Sequence, residues 1–114
     1  MNNNYIEIVN KKKQQENKLV LKPIKKWLEK NLSSNEYVFY KNWGGGFNKA
    51  GRPDIEITYK GQVNYWELKD KEGELSTLQK EIIKNYANAG KIVYVVTSLE
   101  EFLEIWNNIY QNEI

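Results

Sequence analysis

Apolar and polar positions along this chain switch between two periods, and the switches mark its elements. From about Gln15 to Asn31, Leu19, Val20, Ile24, Trp27 and Leu28 recur at helical spacing and give a first helix one apolar face. Pro23 falls inside that stripe, where it either kinks the helix or marks its true start, because proline lacks the N–H an interior turn needs. Glu36 to Asn42 reads as a strand through Val38, Phe39 and Tyr40. Asp54 to Tyr59 alternates strictly, Lys60-Gly61 makes a tight turn, and Val63 to Lys69 alternates again, so the two runs predict a hairpin. A second helix carries Leu75, Leu78, Ile82, Ile83, Tyr86 and Ala87 on one face and ends near Gly90. Ile92 to Thr97 is an unbroken apolar run, the pattern of a strand buried on both sides and therefore central. Leu99, Phe102, Leu103, Trp106 and Ile109 define a last helix, capped by Ser98 with Glu101 three residues on.

The order is helix, three strands, helix, strand, helix, which predicts an α/β fold: a small mixed β-sheet flanked by helices. The link from the Glu67 strand through the second helix to the Ile92 strand has a crossover's length, so those two strands are expected to run parallel. Residues 1–14 form an Asn- and Lys-rich arm around Tyr5 to Val9, and 15–114 form the domain. At 114 residues, with no repeat or linker, the chain holds one core and not two.

The hairpin concentrates the chemistry. Period-2 geometry puts Glu67 and Lys69 on one face of their strand, with Leu68 on the other. Pairing with the preceding strand brings Asp54 to the same edge of the sheet. Two carboxylates and an ammonium there make a divalent-metal site with a cation beside it; the plain alternative is an exposed hairpin with an ordinary Glu/Lys pair. Glu16 precedes Leu19 and Val20 by three and four positions, so in a continuous helix it shares their face. It is either a member of the metal site or a first-turn acid favoured by the helix dipole. Gln79 also has two readings. It closes a capping box with Ser76, or it reaches across to the sheet and helps hold the site.

Between the first two strands, Trp43 to Ala50 includes Gly44, Gly45 and Gly46, which allow close backbone approach and leave amides free for phosphate. Lys49 and Arg52 flank this loop, and Trp43 or Phe47 can stack on a base; a merely flexible connection is the alternative. No Gly-Lys-Ser/Thr follows, so this is not a Walker A loop.

Composition narrows the chemistry further. The formal charge is only +2, but residues 1–30 carry eight lysines, Lys11, Lys12 and Lys13 among them, against three glutamates. A basic front suits a polyanion, though lysine-rich solvated faces are common. The chain has no cysteine and no histidine, which excludes disulfides, thiolate chemistry and every His-based acid–base or metal scheme. No apolar run approaches ~18 residues and no signal peptide is visible, so a soluble intracellular protein without membrane contact is expected.

Gly51, Pro53 and Asp54, then Glu67 and Lys69, then Gln79 and the strand from Ile92 to Ser98 follow one another in a familiar order. Over about residues 15–106 the chain resembles the PD-(D/E)xK nuclease superfamily, and within it the small VRR-NUC branch. The resemblance implies a restriction-endonuclease-like core and Mg²⁺- or Mn²⁺-dependent hydrolysis of DNA phosphodiesters by an endonuclease. Asp54 and Glu67 would be metal ligands, joined by Glu16 from the first helix (Glu29 being the fallback) and by the Leu68 carbonyl. Lys69 would orient or help deprotonate the attacking water, and Gln79 would steady the site or a phosphate. DNA contacts would fall to Lys11, Lys12, Lys13, Trp43, Gly45, Gly46, Lys49 and Arg52. Standalone members resemble Holliday-junction resolvases, which implies a homodimer acting on branched DNA in the cytoplasm of a prokaryote or a phage-infected cell. The alternative is a non-catalytic nucleic-acid-binding or protein-interaction module on a nuclease-like fold.

Overall fold

The computed structural model describes residues 16–42 and 52–111. Lys11, Lys12 and Lys13 of the arm, and Trp43, Gly45, Gly46, Phe47, Lys49 and Gly51 of the loop, lie outside the described residues. Along the rest run helix α1 (Lys22–Asn31), strands β1 (Tyr37–Lys41), β2 (Ile55–Tyr59) and β3 (Gln62–Leu68), helix α2 (Thr77–Asn88), strand β4 (Val93–Val96) and helix α3 (Leu99–Tyr110).

Pro23 both permits and shapes the start of α1. A π-type turn over Asn17–Leu21 leads directly into the helix, and the Lys22 N–H donates to the Asn17 carbonyl five residues back. Pro23 then sits in the first turn of α1, directly after this wide turn, which displaces the preceding carbonyls that its ring would meet in an unbroken α-helix. The wide turn keeps the backbone helical from Glu16 onward, so Glu16 stays attached to the helix despite the proline.

The sheet has the order β1-β2-β3-β4. The pairs β1–β2 and β2–β3 are antiparallel, and β3–β4 is parallel across the α2 crossover. Lys60 at φ 50° and Gly61 at φ 76° close the β2–β3 hairpin, with Tyr59 opposite Gln62. Two consecutive left-handed residues are what a tight hairpin turn of matching twist requires, and glycine takes the second at no steric penalty.

One face of the sheet carries the core. Ile55 and Ile57 of β2, Trp66 and Leu68 of β3 and Val96 of β4 meet Val20, Ile24 and Leu28 from the first helix and Phe102 and Trp106 from α3. Aromatic edges knit this layer together, with Trp27 against Trp106 at 5.9 Å and Trp66 against Phe102 at 4.5 Å between centroids. Asn64 is buried among them and fully used: its Oδ1 accepts from the Trp66 indole N–H at 2.8 Å, and its Nδ2 donates to the Tyr110 hydroxyl at 2.7 Å. The opposite face meets α2, through Tyr65 edge-on to Tyr86 at 5.0 Å.

Two expectations are corrected. The apolar run from Ile92 does not form a central strand: among the described residues β4 is the last strand of the sheet, and Ile92 and Val95 are exposed. No residue of α2 is fully buried, and Leu78 faces solvent. Helix α2 covers the second face only in part: Val93 of β4 is buried there, whereas Val95 and Leu78 stay exposed. No helix among the described residues is long and apolar enough to cross a membrane.

The Asn64 network gives a direct stability test. Replacing Asn64 by Ala strands the buried Trp66 N–H, and an unsatisfied buried donor costs ~1–3 kcal/mol. Asn64→Ala should therefore lower the urea-unfolding free energy by about that amount. An unchanged midpoint would show that the Asn64 bonds are replaced or dispensable.

Candidate functional site

The register of the hairpin fixes the site. Ile55 pairs with Trp66, so one further step along the antiparallel ladder sets Asp54 directly opposite Glu67. Both project from the face that α2 only partly covers, since the core face at this level is taken by Ile55, Trp66 and Leu68. Asp54 is held from two sides. Its Oδ2 accepts from the Leu68 N–H at 2.8 Å, extending the ladder by one rung through a side chain, and its carbonyl accepts from the Asn42 N–H at 2.8 Å.

Glu67 is only 2% exposed. Its Oε1 accepts from Gln79 Nε2 at 3.2 Å, and its carboxyl is hydrogen-bonded to Asp54. Burial first, then that bond and the Asp54 charge, with Glu16 adding to them, push the Glu67 carboxyl up to about 10; Lys69 works in the opposite direction. Burial and the facing Asp54 thus favour the neutral, protonated form of Glu67 when no cation is present.

Gln79 both closes the capping box and reaches the sheet. Its backbone N–H donates to Ser76 Oγ at 3.0 Å while its Oε1 accepts from the Ser76 N–H at 2.8 Å, a complete capping box. The amide has a second end, and that end donates to Glu67. The helix cap therefore also orients the acid.

The other candidates fall into place around this pair. Glu16, at the head of the first helix, lies near enough for its negative charge to help push the Glu67 carboxyl up, whereas Glu29 is exposed on α1. Lys69 follows β3, and its N–H donates to the Val96 carbonyl at 3.0 Å. Gly73 lets the next turn fold against it: a Cβ there would stand 2.7 Å from Asp70 Oδ1 and 3.3 Å from Lys69 Cδ. Leu68 gives its side chain to the core and its N–H to Asp54. Arg52, exposed two residues before Asp54, places its charge near the Tyr65 hydroxyl.

The donor set fits a hard divalent cation. Among the described residues no three acidic side chains gather to hold a metal ion. Mg²⁺, however, commonly binds through one or two carboxylates and keeps several waters for substrate phosphates to replace. A buried acid pair with a trapped proton is the arrangement such a cation would relieve.

Sequence reading passed over two neighbours. Asn42 lies beside Asp54 through its N–H, and its Oδ1 is buried with no hydrogen-bond partner among the described residues. Asp70, Thr97 and Ser98 line an open cavity of about 540 Å³ just past the ends of β3 and β4, and Asp70 Oδ1 is likewise unpartnered. The parity of the hairpin could have pointed to Asn42; the cavity depends on how two turns fold and left no signal in the pattern.

No protein-family model, curated protein or solved structure matches the chain.

The trapped proton sets a pH dependence. The Glu67 carboxyl holds its proton up to about pH 10 when folded but only to about 4.5 as an ordinary carboxyl. Between those values the folded state binds more protons than the unfolded one, so stability falls as pH rises. In EDTA, the melting temperature of the parent should decline from about pH 5 to about pH 9 more steeply than that of Glu67→Gln, whose neutral amide has no proton to lose. Equal slopes would mean that Glu67 is ionised in the folded chain at neutral pH.

Proposed function

We propose that this protein is a divalent-metal-dependent nuclease of the PD-(D/E)xK type, hydrolysing DNA phosphodiesters at Asp54, Glu67 and Lys69. The observation that carries the reading is the facing pair itself: a buried glutamate hydrogen-bonded to an aspartate on the neighbouring strand, with a lysine two residues further along. Structural ion pairs do not need two acids against each other, and a strand pair pays for that arrangement in repulsion unless it has a use.

In this reading Asp54 and Glu67 hold Mg²⁺ or Mn²⁺, with Glu16 adding negative potential and the Leu68 carbonyl as a further oxygen donor. When bound, the cation supplies Lewis acidity that neutralises phosphate oxygens and favours hydroxide over water. Gln79 keeps the Glu67 carboxylate turned toward Asp54. Lys69 orients the attacking water in line with the leaving 3′ oxygen or helps take its proton, the leaving oxygen is protonated from solvent, and the lysine adds positive charge as the five-coordinate phosphate forms. Arg52, near the acid pair in sequence and space, anchors a neighbouring phosphate.

The substrate we infer is branched or otherwise structured DNA cut by a homodimer, since two copies related by a two-fold axis provide one site for each strand. A second reading rests on the Asp54–Leu68 bond, which gives the aspartate a structural task and would suit a binding module on the same fold.

Incubating the protein with branched, linear and single-stranded DNA in Mg²⁺ tests the proposal, and light scattering tests the dimer. Lys69→Ala should lose about 10²-fold or more of the cleavage rate while its melting temperature still rises with Mn²⁺, because the lysine is not a ligand. Undiminished cleavage by Lys69→Ala would remove the lysine from the reaction. A parent that binds DNA and cuts none would favour the binding module.

A further inference from the structure

The row of residues next to the acid pair has no place in that chemistry. On the same open face, Tyr40 of β1 stands opposite Glu56 of β2, and Glu56 stands opposite Tyr65 of β3. Tyr86 of α2 closes the row, edge-on to Tyr65 at 5.0 Å. Tyr40 is 56% exposed, unusual for an aromatic ring in mid-strand. A water-sized cavity of about 10 Å³ opens among Tyr40, Asn42, Arg52 and Tyr65, and the unpartnered Asn42 Oδ1 belongs to one of its walls.

We propose that Tyr40 is a stacking platform for one unpaired base of a nucleic-acid strand whose backbone runs past Asp54 and Glu67. The inference rests on the nuclease reading and specifies its substrate: DNA with a single-stranded segment next to the cut.

The chemistry of the row selects this occupant. A flat exposed ring offers a π-face, and duplex bases have both faces covered by their neighbours, so only an unpaired base can use it. Beside the ring, the half-buried Glu56 carboxylate is an acceptor, matching the N–H groups on a base edge. Glu56 would repel a phosphate, whereas Arg52 beside it would attract one, so the base lies toward Glu56 and the backbone toward Arg52. An apolar protein segment on the same row would strip water from Arg52, Glu56 and Asn42 without replacing their hydrogen bonds. Spacing agrees as well. The Tyr40 row lies two residues along the strands from the acid pair, about 7 Å. That is about two steps of a stacked strand at ~3.4 Å each.

The test is fluorescence-anisotropy binding in EDTA, using a blunt duplex and the same duplex with a single-stranded tail. The parent should bind the tailed DNA more tightly. Tyr40→Ala should weaken that binding roughly 5- to 100-fold, from ~1–3 kcal/mol per stacked base, and leave the blunt duplex unchanged. Tyr40→Phe should keep the tailed affinity, since stacking needs the ring and not the hydroxyl. Because Tyr40 is exposed, the melting temperatures of both variants should match the parent's. Loss of affinity by Tyr40→Ala on both DNAs equally, no loss on either, or no binding of DNA by the parent would each overturn the subsite. Cleavage of the same DNAs in Mg²⁺ separates the two claims. Tyr40-dependent binding without any cleavage would sink the nuclease reading and leave the platform standing; cleavage without Tyr40-dependent binding would do the reverse.

Discussion

Asp54 and Glu67 face each other across a strand pair, and the rest of the structure is arranged to hold them there. Two carboxylates in that position repel, and Glu67 is buried as well, so the fold must restrain both. The hairpin register is set by the Lys60-Gly61 turn, and a slip of one residue would turn Trp66 out of the core and Glu67 into it. Ile55, Trp66 and Leu68 anchor the two strands on the core face directly behind the acids. Asp54 is then tied to the Leu68 N–H and Glu67 to Gln79. Burial and the facing Asp54 favour protonated Glu67, and that neutral form removes the remaining repulsion.

Helix α2 shows how such a site stays open. It is fixed at its first turn by the Ser76–Gln79 box and by the contact of Tyr86 with Tyr65, with no fully buried residue of its own. A helix packed tightly over this face would cover the Tyr40 row as fully as Glu67 is already covered. The loose covering leaves apolar side chains such as Leu78, Val38 and Val95 in water.

Local rules made much of this legible. The hairpin, the three helices, the Ser98 cap and the parallel pairing of β3 with β4 follow from periodicity, turn chemistry and connection length. The convergence of Asp54 with Glu67 follows from strand parity and a two-residue turn. Legibility ended where the outcome depended on what covers a surface. An apolar run does not reveal whether a further strand pairs beside it, so β4 was expected in the centre and ends the order of the described strands. Gln79 resisted a choice between cap and site because its amide has two ends, and the structure uses both. Glu16 hung on whether Pro23 breaks the helix; a π-type turn absorbs the proline, a solution that side-chain periodicity does not reveal. The Tyr40 row was hidden because its members sit on three strands and a helix, joined only by register.

The most direct test of the central claim is a proton count. Isothermal titration of Mn²⁺ into the protein near pH 7, in two buffers of different ionisation enthalpy, gives the number of protons released per cation bound. Displacement of the proton on the buried Glu67 carboxyl predicts a release of about one, abolished together with most of the Mn²⁺ affinity in Asp54→Asn. Absence of Mn²⁺ binding, or binding that releases no proton and survives Asp54→Asn, would contradict the account.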